Sequence, residues 1–66
     1  MTPDEQRRVV MQIKLEVEAV GLAHPEVHRA VVERMPDVLR RAGHLVGLSS
    51  DDPWLSGAIA AWEERR

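Results

Sequence analysis

Three histidines and a neighbouring glutamate are the residues of this sequence whose types suggest metal chemistry. His24, Glu26 and His28 form the pattern H-x-E-x-H, and His44 lies further along the chain. Zinc proteases instead carry H-E-x-x-H within a helix, where both imidazoles project from one face. Pro25 places His24 at or before the start of a helix, so the two imidazoles are not expected to converge. We therefore expect no metal site and no cofactor.

Serine residues are the candidate nucleophiles, and they give no basis for an enzyme. Ser49, Ser50 and Ser56 have no histidine and carboxylate spaced around them in a way that supports a catalytic triad. A glycine-rich phosphate loop is also missing from the sequence. The chain has no cysteine, which excludes disulfides and thiolate metal sites and fits a reducing cytoplasm. These observations predict a non-enzymatic protein.

Arginines in the middle of the chain form the one candidate surface for nucleic acid. Acidic residues alternate with them at helical spacings, in the pairs Glu26–Arg29, Arg29–Glu33 and Asp37–Arg41. Such pairs are typical of a solvated helix face. The net charge is −2, whereas nucleic-acid binders are usually more basic. A small dimeric DNA-binding regulator, a repressor or antitoxin of ribbon-helix-helix or helix-turn-helix type, is the alternative function that we keep open.

The segment from Pro25 to Gly43 is predicted to be the central amphipathic helix that positions these side chains. Its apolar residues share one face, and they are Val27, Val31, Val32, Met35, Val38, Leu39 and Ala42. The pattern keeps its phase across Pro36, which removes one backbone hydrogen-bond donor. Two outcomes stay open: a kinked continuous helix, or two short helices with the same buried side. Gly43 is the expected end of the segment.

A first helix is predicted to begin at Thr2, because Thr2 and Glu5 can form a capping box, and to end at Gly21. Its core face is formed by Val9, Val10, Ile13, Val17 and Val20. Residues 11–19 also alternate strictly between apolar and polar, which is the period of a strand. A strand there would suit a ribbon-helix-helix dimer. The helix is favoured because the polar residues of the segment are good helix formers.

The last helix is predicted to start with Asp52 as its cap and Pro53 in its first turn. The stretch from His44 to Asp52 should lie across the edge of the core. The prediction for residues 1–66 is a single small all-α domain with helices near 3–20, 25–42 and 53–65. It is a three-helix bundle, or a four-helix bundle if Pro36 breaks the middle helix. The expected core contains Val27, Val31, Met35, Val38 and Leu39 together with Ile13, Val17, Leu55, Ile59 and Trp62.

A second apolar stripe on the first helix indicates a binding surface. Met11, Leu15 and Ala19 recur at i, i+4 and i+8, which suits a helix–helix seam. A 66-residue chain has little surface with which to cover such a stripe, so we expect oligomerisation to complete the bundle. His28 and Trp54 are the other predicted partner-binding residues. The sequence thus predicts a protein–protein interaction or regulatory module, either a homodimer or bound to a larger protein.

The source and location of the protein are predicted from composition. Eight arginines against one lysine, with abundant alanine and valine, are typical of a GC-rich bacterial or phage source. Apolar runs fall far short of the roughly 18 residues of a membrane span. No signal-peptide pattern is visible at the start of the sequence. We expect a small cytoplasmic protein without a membrane partner.

Overall fold

The computed structural model describes residues 1–65, and these residues form three helices. Helix α1 spans Pro3–Ala23, α2 spans Pro25–Leu45 and α3 spans Pro53–Arg65. Helix α2 packs against both α1 and α3, in a molecule that measures 36 × 21 × 14 Å. The predicted all-α bundle is confirmed. Residues 10–19 belong to α1, so the strand that a ribbon-helix-helix dimer requires is not formed.

The start of α1 follows its local sequence. Thr2 Oγ1 accepts a hydrogen bond from the Glu5 backbone N–H at 3.2 Å, and Glu5 Oε1 accepts one from the Thr2 N–H at 3.3 Å. This reciprocal pair is the predicted capping box, which satisfies two backbone donors at the helix start. Pro3 occupies the first turn, where no backbone donor is needed.

The end of α1 lies beyond Gly21, contrary to the prediction. The helix runs on to Ala23, and it stops because Pro25 disfavours helical geometry at His24, whose φ and ψ are −128° and 84°. Gly21 is buried against α2, where an added Cβ would lie 3.2 Å from Cγ1 of Val31. This glycine therefore permits close packing of α1 on α2 rather than ending the helix.

Gly43 has the same role between α2 and α3, and its predicted role as a helix end is also wrong. Helix α2 continues to Leu45. A Cβ placed on Gly43 would lie 2.5 Å from Cδ2 of Leu55, which is closer than real Cβ contacts come. The cost of a glycine inside a helix, about 1 kcal/mol, is offset here by the burial of Leu55 against the bare backbone.

The residue that terminates α2 is Gly47, two positions after the last helical residue, Leu45. The φ of Gly47 is +86°, a left-handed conformation that glycine adopts without steric cost. The Gly47 N–H donates to the His44 carbonyl at 3.1 Å, and the Leu48 N–H donates to the Gly43 carbonyl at 2.8 Å. These two bonds form a Schellman motif, which satisfies carbonyl groups in the last turn.

Helix α2 is continuous across Pro36, so the version with two short helices is wrong. Because Pro36 has no N–H, the Val32 carbonyl lacks its normal partner four residues later. The indole N–H of Trp62, on α3, donates to that carbonyl at 3.0 Å. A side chain of the neighbouring helix thus replaces the hydrogen bond that the proline removes.

The core lies mainly along the middle and C-terminal part of α2. Its buried members are Val10, Met35, Leu39, Ala42, Leu55 and Ile59. Five of the other predicted members are half-buried around this cluster, and they are Ile13, Val17, Val31, Val38 and Trp62. Two predictions are wrong: Val27, expected in the core, is 38% exposed, and Val20, assigned to the core face of α1, is 51% exposed. Helix α3 has 13 residues and α1 and α2 have 21 each, so α3 leaves the connected ends of α1 and α2 uncovered.

The connection between α2 and α3 is held at both ends. Val46 and Leu48 pack against the core as expected, whereas Leu45 belongs to α2 and is exposed. Gln6 donates from Nε2 to the Val46 carbonyl at 2.7 Å, which ties α1 to this connection. Asp52 Oδ2 accepts from the Leu55 backbone N–H at 3.0 Å, so the predicted cap of α3 is confirmed.

Candidate protein interaction surface

A contiguous set of apolar side chains is exposed on α1. Met11, Leu15 and Ala19 are all exposed and lie on one side of the helix, as the sequence predicted. Leu22 extends the same line, because it follows Met11 by about three helical turns. Leu15 is 56% exposed and Leu22 is 75% exposed. We refer to Met11, Leu15, Ala19 and Leu22 as the α1 stripe.

The sequence does not assign Leu22 to the stripe, because it predicts that α1 ends at Gly21. Its position repeats the spacing of the stripe, so a helix drawn to Ala23 would have included it. The signal that could have extended the helix was Pro25, which both ends α1 and opens α2.

The N-terminal end of the α1 stripe lies beside α3. Met11 helps to line a shallow groove of about 130 Å³, whose other lining residues are Lys14, Ala58, Ala61, Trp62 and Arg65. Ala58 and Ala61 are small, so the groove leaves room for a side chain from a partner. This groove makes the surface around Met11 wider than a single helix edge.

Lys14 and Glu18 form a pair of charged side chains along one edge of the α1 stripe. Lys14 Nζ pairs with Glu18 Oε1 at 2.5 Å, and it also lies 5.2 Å from the centre of the Trp62 ring. The lysine thus combines an i, i+4 ion pair with a cation–π contact. These contacts hold Lys14 against the bundle, and the apolar side chains beside it stay open to solvent.

The other two predicted partner-binding residues lie away from the α1 stripe. His28 is exposed and sits where α1 and α2 meet, with Nδ1 3.5 Å from the position of a Cβ built on Gly21. Trp54 is half-buried against the core, and the Arg7 guanidinium lies 5.7 Å from the centre of its ring. The structure therefore brings together Met11, Leu15 and Ala19, and it places His28 and Trp54 near opposite ends of α1.

A second apolar surface lies between α1 and α2, and the sequence did not reveal it. It is a groove of about 260 Å³ lined by Val17, Val27, Ala30, Val31, Arg34 and Val38, which we call the valine groove. No residue of α3 lines it. Its valines belong to the apolar face that was assigned to the core, and periodicity alone does not indicate which part of a face a short third helix will cover.

The arginines of α2 are partly neutralised by neighbouring acids. Arg29 pairs with Glu33 at 3.3 Å, as predicted. Asp37 pairs with Arg40 at 3.3 Å rather than with the predicted Arg41. Near the end of α2 a wide depression of about 530 Å³ is lined by Arg40, Arg41, His44, Leu45 and Ser50. Leu45, which lines this depression, is 79% exposed.

Two residues of the histidine pattern, His24 and Glu26, form an exposed contact. His24 Nδ1 lies 3.4 Å from Glu26 Oε1, and both side chains are more than half exposed. Within residues 1–65, no group of three or more histidine, cysteine, aspartate or glutamate side chains is placed to hold a metal ion.

None of the helices in the described part of the chain is both long enough and apolar enough to cross a membrane.

Comparisons of this chain with protein-family models, with curated proteins and with solved structures find no significant match.

Proposed function

We propose that this chain is a protein–protein interaction or regulatory module that binds a helix of another polypeptide through the α1 stripe. The observation that carries the proposal is the exposure of Leu15 and Leu22, at 56% and 75%, along one line with Met11. Contiguous large apolar side chains on a protein surface mark interaction sites, because their burial removes apolar area from water. The partner is a second copy of the chain or a larger protein.

The shape of the α1 stripe supports a helical partner. Met11 and Leu22 are separated by about 17 Å along the helix axis, which corresponds to about three turns. Anchors at i, i+4, i+8 and i+11 are the spacing with which one helix packs into the groove of another. Arg8, Lys14 and Glu18 surround this line with charge, as polar residues surround the apolar centre of an interface.

The α1 stripe is a better candidate than the valine groove. The apolar side chains of the groove are shorter than leucine and methionine, and Val17, Val31 and Val38 are already half-buried against the core. Binding there would therefore bury less new apolar area than binding to the exposed leucines. A bacterial, cytoplasmic setting belongs to the same proposal, and it rests on the arginine-rich, cysteine-free composition.

Two matched substitutions on α1 test the proposal. Leu15→Glu places a charge in the middle of the stripe, and Val20→Glu places the same charge on an exposed residue about 140° around the helix. Association of the purified protein is measured by sedimentation, and partner capture is measured with the chain as bait in a lysate of the source cell. We expect Leu15→Glu to lose association or capture and Val20→Glu to retain it.

The result that would contradict the proposal is equal binding by Leu15→Glu and the wild-type chain. Loss of binding in Val20→Glu alone would instead assign the interaction to the valine-groove side of α1. Lys14→Glu does not serve as a control, because Lys14 contacts both Glu18 and the Trp62 ring. Circular dichroism of each variant shows whether its helices are intact.

A further inference from the structure

We infer that the α1 stripe binds the α1 stripe of a second copy, with the two helices antiparallel and centred on Leu15. This inference rests on the proposed function of the stripe and specifies its partner. A two-fold axis through Leu15 places Leu15 against its own copy and Met11 opposite Ala19 of the second copy. Leu22 then lies opposite Arg8 of the second copy, whose aliphatic stem can cover it. One surface patch then meets itself, as in the closed two-fold dimers that are commonest among oligomers.

The sizes of the side chains favour the antiparallel arrangement. Facing helices pack with their axes about 8–10 Å apart, and a large side chain fits best opposite a small one. Antiparallel pairing sets the long Met11 side chain against the methyl group of Ala19 on the second copy. Parallel pairing would set Met11 against Met11 and Ala19 against Ala19, with crowding at one position and a gap at the other.

Charges beside the stripe favour the same arrangement. Arg8 lies seven residues before Leu15 and Glu18 lies seven after Met11, so both lie on the side of α1 that carries the stripe. In the antiparallel pair, Arg8 comes within about 6 Å, along the axis, of Glu18 on the second copy. A parallel pair would set Arg8 opposite Arg8 and Glu18 opposite Glu18, and like charges facing each other oppose association.

Glu18 has a second carboxylate oxygen with which it can accept a hydrogen bond from Arg8 of the second copy. Lys14 occupies Oε1 of Glu18, and the Glu18 side chain is 30% exposed. An ionised carboxylate has a second oxygen that accepts hydrogen bonds. Arg8 is exposed, so its guanidinium is accessible to a partner.

The size of the stripe indicates a weak and reversible dimer. Stable interfaces bury about 800 Å² on each partner, which is more than four side chains on one helix supply. Ala58 and Ala61, beside Met11, add area and allow the second copy to come close. Dimer formation should therefore depend on protein concentration in the micromolar range.

Engineered cysteines test the antiparallel seam directly, because the sequence contains no cysteine of its own. A disulfide needs Cα atoms within about 7 Å of each other. Leu15→Cys should oxidise to a covalent dimer. Met11→Cys and Ala19→Cys should each stay monomeric when oxidised alone, since the two copies of either position are about 12 Å apart along the axis. A mixture of these two variants should give a disulfide-linked heterodimer.

Glu16→Cys is the matched control, because Glu16 is exposed next to Leu15 but lies about 100° around the helix. It should not cross-link. Efficient oxidation of Met11→Cys alone to a covalent dimer, with no heterodimer in the mixture of Met11→Cys and Ala19→Cys, would show a parallel seam and overturn the inference. So would a wild-type chain that sediments as a monomer at high micromolar concentration. Loss of partner capture by Leu15→Glu in that case would leave the proposed function standing with a different partner.

Discussion

The Trp62 side chain replaces a backbone hydrogen bond that Pro36 removes from α2. Pro36 leaves the Val32 carbonyl without its helical donor, and the Trp62 indole supplies one from α3 at 3.0 Å. Leaving a buried carbonyl without a partner costs about 1–3 kcal/mol. The indole is also under the Lys14 ammonium group, so this side chain links all three helices of residues 1–65.

A double-mutant cycle measures the coupling between Pro36 and Trp62. Trp62→Phe should lower the free energy of unfolding by about 1–3 kcal/mol in the wild-type chain, through loss of the hydrogen bond and some ring area. The same substitution should cost about 1 kcal/mol less when Pro36→Ala is present, because position 36 then has an N–H for the Val32 carbonyl. Urea denaturation gives the four stabilities, and equal costs in both backgrounds would show that the indole bond is not a replacement.

Glycine packing gives a second prediction at the scale of single residues. Gly43→Ala should destabilise the protein, since the new methyl group would overlap the Leu55 side chain at a cost of about 1–3 kcal/mol, against a gain in helix propensity of at most about 1 kcal/mol. Gly57→Ala is the matched control in α3, where an added Cβ has no atom within 4 Å. That change should stabilise the protein by about 0.5–1 kcal/mol through helix propensity. Melting temperatures that move in the same direction for both variants would contradict the packing role of Gly43.

Helix ends determine where each element of this fold begins and stops. Thr2, Pro25 and Asp52 mark the three starts, and Pro25 and Gly47 mark the stops of α1 and α2. Helix α3 is the short element, and it has fewer internal hydrogen bonds than a 21-residue helix to support it. Its cap should therefore matter for the docking of Leu55 and Trp62 on α2.

The prediction at the scale of a single helix concerns the loss of the α3 cap. Asp52→Ala should lower the free energy of unfolding by about 0.5–2 kcal/mol, because the Leu55 N–H loses its acceptor. Asp51→Ala, next in the chain at an exposed position, should change the stability by less than about 0.5 kcal/mol. Thermal unfolding followed by circular dichroism compares the two variants, and similar losses in both would indicate that the cap is unimportant.

Association and folding are linked in the whole molecule. The described core contains only six buried hydrophobic residues, so covering the α1 stripe would add a substantial fraction to the apolar area removed from water. If two copies pair through the stripe, the melting temperature should rise with protein concentration, because dissociation accompanies unfolding. Leu15→Glu should remove that dependence while the helix content stays the same. A melting temperature of the wild-type chain that is independent of concentration would argue against a folded dimer.

The binding surface itself was only partly predictable. The i, i+4, i+8 spacing of Met11, Leu15 and Ala19 is a property of a helix, so it identified the stripe as soon as α1 was recognised. Whether Trp54 is exposed depends instead on where α3 docks, and the half-buried position of that ring comes from packing against the core under Arg7. Leu22 could be assigned to the stripe only from the structure, in which α1 ends at Ala23.

The sequence by itself determined the helices and their starts, because caps, prolines and apolar periods act within one or two turns of chain. Tertiary structure decided the roles of Gly21 and Gly43, since a glycine that ends a helix and one that admits a neighbouring side chain look alike in sequence. It also decided that Val27 is exposed while Val10 is fully buried. Both valines lie on apolar faces, but burial requires a second surface at that point, and α3 is too short to provide one over the connected ends of α1 and α2.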